Sequence, residues 1–337
     1  MWKWCSKRSY GRFKGKQPLG KLSMNKTSLI KKALNVLHKY QIRKFAVNGN
    51  MFYIGQDINA DSVHKIVLYF PDREFMHFGD HLFFEPLSRF LKTKGFNIIV
   101  MPIKEMEFYF RCNGYAIASS EDIETADLII TRTEFLKDVK ILRKNVLYID
   151  TACSKVKNYL CQDIANKVAD FLSIPSNNFY AKPSILKSYN SSIELDGKYD
   201  YLIFNNYIES GFYRITKWHM RKIRDFTKSF AADKKLKVIH VGTADEKKKD
   251  KNYYNFVNID LRGETTPADM FYLASLDNVK YNVSFDGFIM HIFSIYGKKS
   301  YVLFRGRFTK TAKNYIINYV NPPFDPIVKK DKLIEYI

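Results

Sequence analysis

Asp286-Gly287 interrupts an apolar run over 281–291 that reads as strand, turn and helix, and His291 follows about one helical turn later. Such a turn suits anion binding. Glycine lets backbone approach a ligand, and the unpaired N–H groups and positive dipole end of a helix start attract phosphate. Gly79-Asp80, just ahead of an apolar run that begins at 82, is a second place of this kind. A carboxylate there, oriented by the helix dipole, can take a proton from a hydroxyl; its structural alternative is helix capping. His77 and His81 flank it, placed to bind an acceptor or share the proton. Two histidines four apart on a loop–helix junction are not by themselves a metal site. Gly242 and the run Gly263-Glu264-Thr265-Thr266 close two further strand-like stretches. Arg305 and Arg307, with Lys310 and Lys313, follow another, at the edge where open α/β sheets bind ligands, and are expected to meet an anionic acceptor.

These residues need a scaffold of buried strands. Residues 45–54 and 65–70 read as strands, and 65–70, almost continuously apolar, opens a first parallel α/β unit. A helix over about 82–94 and a strand at 97–101 follow. Strands at 127–131 and 145–150, with a helix over 134–143 between them, continue the βα alternation, so right-handed crossovers with helices on both faces are expected. Residues 152–184 read as helical and 187–198 as a polar linker. Strands at 199–204, 238–243, 257–261, 281–285 and 300–304, with a helix over 267–276, build a second unit. From 321 onward the chain is expected to cross back to the first. The predicted fold is α/β, two Rossmann-like domains facing a cleft. Residues 1–64 form a basic N-terminal extension with an amphipathic helix, 65–185 the first Rossmann-like domain and 186–337 the second.

Gly242, then Gly263 to Thr266, then Asp286, Gly287, Met290 and His291 stand in the order of three motifs of the heptosyltransferases, glycosyltransferase family 9, which the chain resembles over about residues 65–325. Those motifs are a strand ending in Gly, a Gly-x-Thr-(Ser/Thr) turn with a helix, and an Asp-(Ser/Gly)-Gly-x-Met-His turn. Phe288 departs from them where many relatives have a second small residue. Gly79-Asp80 and Pro86 match the family's first Gly-Asp loop and the helix after it. Lys217-Trp218 is similar to its Lys-x-Trp loop with spacing changed by one, and Arg214 is the reserve cation. The resemblance implies a GT-B fold and an inverting, metal-independent transfer of a heptose or hexose from a nucleotide diphosphate sugar to lipopolysaccharide or another cell-surface saccharide. No cofactor beyond the donor is implied. Asp80 would be the general base, and Lys217 or Arg214 would meet the charge developing on the leaving diphosphate. Gly242, Thr265, Asp286, Gly287 and His291 would hold diphosphate and sugar, and Glu264 or Asp269 the ribose hydroxyls. His77, His81, Arg305 and Arg307 would face the acceptor.

Composition limits the setting. With 337 residues, 46% of them hydrophobic, the chain can supply two cores. No apolar run reaches the roughly 18 residues of a membrane span and no signal peptide is visible, so a cytoplasmic place on the inner membrane face is expected. Cys5, Cys112, Cys153 and Cys161 have no zinc spacing and are read as reduced thiols. Lys and Arg number 55 against 34 Asp and Glu, a net charge of +21, and thirteen of the cations precede the first acid, Asp57. Trp2, Trp4, Tyr10 and Phe13 alternate with those charges, and a basic amphipathic helix over 25–40 follows. Residues 1–44 therefore suit an anionic membrane surface bearing a lipid-linked acceptor; nucleic acid is the rival polyanion. Met24 is an alternative start, which would leave 1–23 without function. A glycosyltransferase acting on a nucleic-acid base and a non-catalytic nucleotide-sugar-binding protein are the competing functions.

Overall fold

The computed structural model describes residues 43–47, 51–149, 160–206, 215–303 and 334–337, apart from isolated positions at 57, 139, 142, 143, 177, 178, 180, 181, 187 and 188. The expected amphipathic helix, Arg214, Arg305 and Arg307 lie outside these residues, as do Cys5 and Cys153.

Strand β3 (Lys65–Tyr69) is buried from Ile66 onward and sits in the middle of a seven-stranded sheet. Its partners are β4 (Asn97–Met101) and β6 (Leu128–Arg132), both parallel to it, followed outward by β5 (Ala116–Ile117) and β7 (Val146–Ile149). Counting from β3, these five strands run 3-2-1-4-5, so the chain reverses direction across the sheet between β3 and β6. The stretch 45–54 is not one strand. It is a hairpin of β1 (Arg43–Val47) and β2 (Met51–Gly55), and β2 pairs antiparallel with β7, so the first sheet includes residues ahead of 65. Phe52 stacks on its cross-strand partner Tyr148 at 4.9 Å.

The second sheet is built from β8 (Tyr201–Phe204), β9 (Lys237–His240), β10 (Ile259–Asp260), β11 (Val279–Phe285), β12 (Lys299–Leu303) and β13 (Ile334–Tyr336). All its pairs are parallel and, counted from β8, the order is 3-2-1-4-5-6. Residues 334–336 lie along Ser300 to Val302 as a sixth strand of the second sheet, so at these positions the chain is not with the first half as expected; 321–333 lie outside the described residues. Alternation along β8 divides the core. Tyr201 and Ile203 belong to the larger cluster, which runs on into the first half, whereas Leu202 and Phe204 face a smaller cluster with Ile223 and Val238.

The helices are α1 (Phe78–Thr93), α2 (Glu107–Cys112), α3 (Ser120–Glu124), α4 (Leu160–Phe171), α5 (Lys217–Lys234), α6 (Ala244–Lys249), α7 (Pro267–Ser275) and α8 (Phe288–Ile295). Two expectations are shortened. Among the described residues of 134–143, where a helix is expected, the helical element is a 3₁₀ turn, Thr133–Lys137, and the described helix within 152–184 ends at Phe171. Ser173 then adopts a left-handed conformation at the turn out of α4.

Aromatic rings join the halves. Tyr109 stacks on Phe271 at 5.1 Å and Phe78 meets Phe288 at 5.4 Å. The connection is tied to both sides. Buried Glu85 accepts from the backbone N–H and hydroxyl of Ser184, and the Tyr296 hydroxyl bonds both backbone groups of Leu186.

Candidate active site

The C-terminal edges of the two sheets face each other across a cavity of about 530 Å³. The loop after β3 and the first turn of α1 contribute Arg73, His77, Gly79 and Asp80. The turns after β8, β9 and β11 contribute Asn205, Gly242 with Thr243, and Asp286 with Gly287, while Thr265, Thr266 and His291 complete the polar wall. Every one of these turns leaves the carboxyl end of a strand, where a doubly wound sheet opens a crevice.

Asp80 is the third residue of α1, not the residue ahead of it. The helix starts at Phe78, four residues earlier than the apolar run at 82 implies, with His77 as its N-cap. The Asp80 carboxylate reaches back to the His77 backbone N–H at 3.0 Å, the reciprocal half of a capping box. The same oxygen, Oδ2, accepts from Arg132 Nη1 at 2.8 Å. Capping and facing the cleft are thus combined in one side chain. His77 is exposed on the cleft wall.

His81, expected to face the acceptor, is a core residue. Its Nδ1 bonds the His77 carbonyl at 3.0 Å and its Nε2 accepts from the Ile103 N–H at 3.3 Å, which leaves neither ring nitrogen for a ligand. Burial pushes its pKa down to about 4.

Across the cleft, Asp286 and Gly287 end β11 and start α8. Gly287 supplies no capping side chain, so the first turn of α8 presents backbone N–H groups toward the cavity. Its backbone is extended, with φ of −176°, a conformation open to any residue. His291 is one turn further on. Its ring packs edge-on against Phe83 at 5.1 Å, Cδ2 faces Gly79, and Nδ1 is buried with no hydrogen-bond partner. Burial lowers its pKa to about 4, against the pull of the Asp80 charge, so the ring is neutral at pH 7.

Gly242 is required by its neighbour. A Cβ there would lie 2.7 Å from Glu246 Oε2, which accepts from the Thr243 N–H at 2.8 Å. Glu246 is a buried carboxylate on the cleft wall and is not among the expected site residues. The Thr-x-x-Glu pattern after Gly242 is the capping-box signal that marks it. The expected ribose acids are placed elsewhere. Glu264 is exposed, 3.6 Å from Lys247, and does not line the cleft. Asp269 is committed to structure: Ser191 bonds Oδ1 at 2.6 Å, and the Thr266 N–H and hydroxyl bond Oδ2 at 2.8 and 2.7 Å. Lys217 is exposed at the first position of α5 and is not a wall residue. Among the described residues the wall's cation is Arg73, whose Nη1 bonds Glu105 at 3.0 Å.

Among the described residues, no three His, Cys, Asp or Glu side chains are gathered so as to hold a metal ion, and no helix is long and apolar enough to cross a membrane.

No protein-family model and no curated protein matches the chain. Solved structures do. A glycosyl transferase of family 9 from Veillonella parvula aligns with 84% of this chain and 88% of its own, at a TM-score of 0.55 and 13% identity. The ADP-heptose LPS heptosyltransferase II of E. coli aligns with 81% of this chain and 90% of its own, at 0.54 and 13%. Together with the two strand orders, this likeness identifies the fold as GT-B, two Rossmann-like halves across a cleft.

Proposed function

We propose that the chain is a glycosyltransferase: inverting, metal-independent, and moving a heptose or hexose from a nucleotide diphosphate sugar to a saccharide acceptor. The observation that carries this reading is the sharing of one cavity by Asp80 from the first half and Asp286, Gly287 and His291 from the second. Such a cavity brings a proton acceptor to one side of a donor and anion-binding amides to the other.

In this mechanism the acceptor hydroxyl gives its proton to Asp80 as its oxygen attacks the anomeric carbon. The bond from that carbon to the diphosphate oxygen breaks, and the electron pair leaves with the nucleoside diphosphate. The amides opening α8 meet the charge that develops, with Arg73 the cation on the cavity wall in place of the expected Lys217. Glu246 takes the ribose role expected of Glu264 or Asp269, because it is the buried carboxylate on the donor wall. Neutral His291 bonds the donor through a ring nitrogen. The acceptor is a lipopolysaccharide or other lipid-linked saccharide, met at the cytoplasmic membrane face with the cations of residues 1–44 on anionic headgroups.

A panel of nucleotide diphosphate sugars tests this. The expected result is that one donor raises the melting temperature and is turned over with release of nucleotide. Asp80→Asn should keep the donor-induced shift and lose transfer by at least about 10²-fold. If no donor stabilises or is consumed, while DNA is retained in a salt-dependent way, the reading is wrong.

A further inference from the structure

Arg132 ends β6 with almost no freedom. All five residues of that strand are buried, and Arg132 lies opposite Ile149 of β7. On the other side the Thr131 hydroxyl donates to the Tyr69 carbonyl at 2.5 Å, which locks β6 to the end of β3 just before the loop that carries the cleft residues. The guanidinium therefore starts from a fixed backbone at the edge of the sheet.

Its hydrogen bonds brace that edge. Nη1 donates to Asp80 Oδ2 at 2.8 Å and to the Phe75 carbonyl at 3.2 Å, and lies 3.6 Å from the Met76 sulfur. Nη2 donates to Glu134 Oε1 at 2.9 Å. One planar group thus braces the end of the loop, the first turn of α1 and the 3₁₀ turn that follows its own strand. The side chain is 10% exposed, and its carboxylate partners are 23% and 20% exposed, so the pairs are sheltered from the solvent that makes surface ion pairs weak. Glu134 restrains the far arm of the guanidinium, and the near arm is then aimed.

For Asp80 the consequence is orientational. Its two bonds, from the His77 N–H and from Arg132, both fall on Oδ2 and come from different elements, so the carboxylate cannot turn about its last bond without losing one. Oδ1 takes neither bond and is the oxygen with which a residue on the cleft wall can meet a hydroxyl. A base that must be placed to within a fraction of an ångström is commonly held by a third group in this way. Lysine would not replace arginine here, since a single ammonium cannot span Asp80 and Glu134 with a rigid fork.

We infer that Arg132 is the positioning residue for Asp80, fixing the carboxylate so that Oδ1 receives the acceptor's proton. This rests on the glycosyltransferase reading, and the test separates the two. Full-length protein, with the donor found in the panel, is assayed for kcat and for donor and acceptor KM as wild type, Asp80→Asn, Arg132→Met, Arg132→Lys and the double variant Asp80→Asn/Arg132→Met. ADP, GDP and UDP serve as binding probes, and melting temperature reports folding. The expected result is a loss of about 10²-fold in kcat for Arg132→Met, with donor KM and probe binding within about threefold of wild type. Arg132→Lys should recover part of the loss, and the double variant should be no slower than Asp80→Asn alone, because Arg132 acts through that carboxylate. Should Arg132→Met fail to fold, Arg132→Lys carries the test with a kcat loss at unchanged KM. Multiplying losses in the double variant, or a loss confined to KM, overturns the positioning role. So does wild-type kcat in Arg132→Met when Asp80→Asn is inactive, an outcome that leaves the glycosyltransferase standing. A wild-type protein that turns over no nucleotide sugar removes that reading, and the role of Arg132 with it.

Discussion

Lowering the pH from 7 to 5 should cost this protein about 4 kcal/mol of stability through His81 and His240, about 2 kcal/mol each by proton linkage. Both rings are essentially unexposed. His81 is bonded to the His77 carbonyl and the Ile103 N–H, and His240 Nε2 meets Asn206 Oδ1 at 2.9 Å. Burial lowers each pKa to about 4, and for His240 the Arg262 charge adds to it. In the unfolded chain a histidine titrates near 6.5, so between about 6.5 and 4 the unfolded state binds protons that the folded state refuses. Stability therefore falls as pH drops through that window and stops falling from this source below about 4. Asp122, held near 2 by the Ser119 backbone N–H and by Lys65, loses its contribution only below the unfolded Asp range, outside the window. Two other groups act inside it. His291, also near 4, adds in the same sense, whereas Glu85, raised by burial, gains stability as pH falls. The quantity to measure is thus a difference. Urea unfolding of wild type and His81→Gln at pH 7 and pH 5 should show the variant losing about 2 kcal/mol less over that interval. Parallel losses would refute the reasoning, since His81 would then be taking up its proton in the folded state.

Two further outcomes follow from close packing. Gly242→Ala places a methyl 2.7 Å from Glu246 Oε2, so the carboxylate must leave the Thr243 cap; isothermal titration should give about tenfold weaker nucleoside diphosphate binding and urea unfolding about 1 kcal/mol lower stability. Arg262→Met removes a guanidinium that is 2% exposed and bonded to Asp260 and to the Asp250 and Asn252 carbonyls, leaving Asp260 and Asp250 without their cation. Denaturant unfolding should register about 3–5 kcal/mol, and less than about 1 would contradict the burial argument.

What the sequence discloses and what it hides divide along the range of the interactions. Strand periodicity is local, so the alternation from 65 to 303 and the turns at Gly242 and Asp286-Gly287 are legible. The hairpin within 43–55 is legible only through Asn48-Gly49, a hairpin-turn dipeptide, because the residues on either side read as one apolar run. The start of α1 is hidden by its own polarity: Gly79 and Asp80 look like loop, yet the first turn of a helix is where an acidic capping partner belongs. His81 is four residues from His77 and looks like its companion, but one turn of helix carries it from the cleft wall into the core. Asp269 and Glu264 resemble equally good ribose ligands, until Ser191, 78 residues away, is found to occupy the first and solvent the second. Arg132 leaves no local trace at all. An arginine ending an apolar strand gives no hint that it meets a carboxylate 52 residues earlier in the chain.

The same division accounts for the meeting of the two halves at the cleft. Asp80 on α1 and His291 on α8 come from separate halves, and the two helices approach at Gly79, where a Cβ would stand 3.1 Å from His291 Cδ2. A methyl at that position would be tighter than ordinary van der Waals contact, so the His291 ring would have to give by a few tenths of an ångström. Gly79 is helical, so its left-handed freedom is unused and its helix propensity is a cost of about 1 kcal/mol relative to alanine. What that cost leaves open is the space beside His291, which a Cβ at Gly79 would crowd from the opposite half.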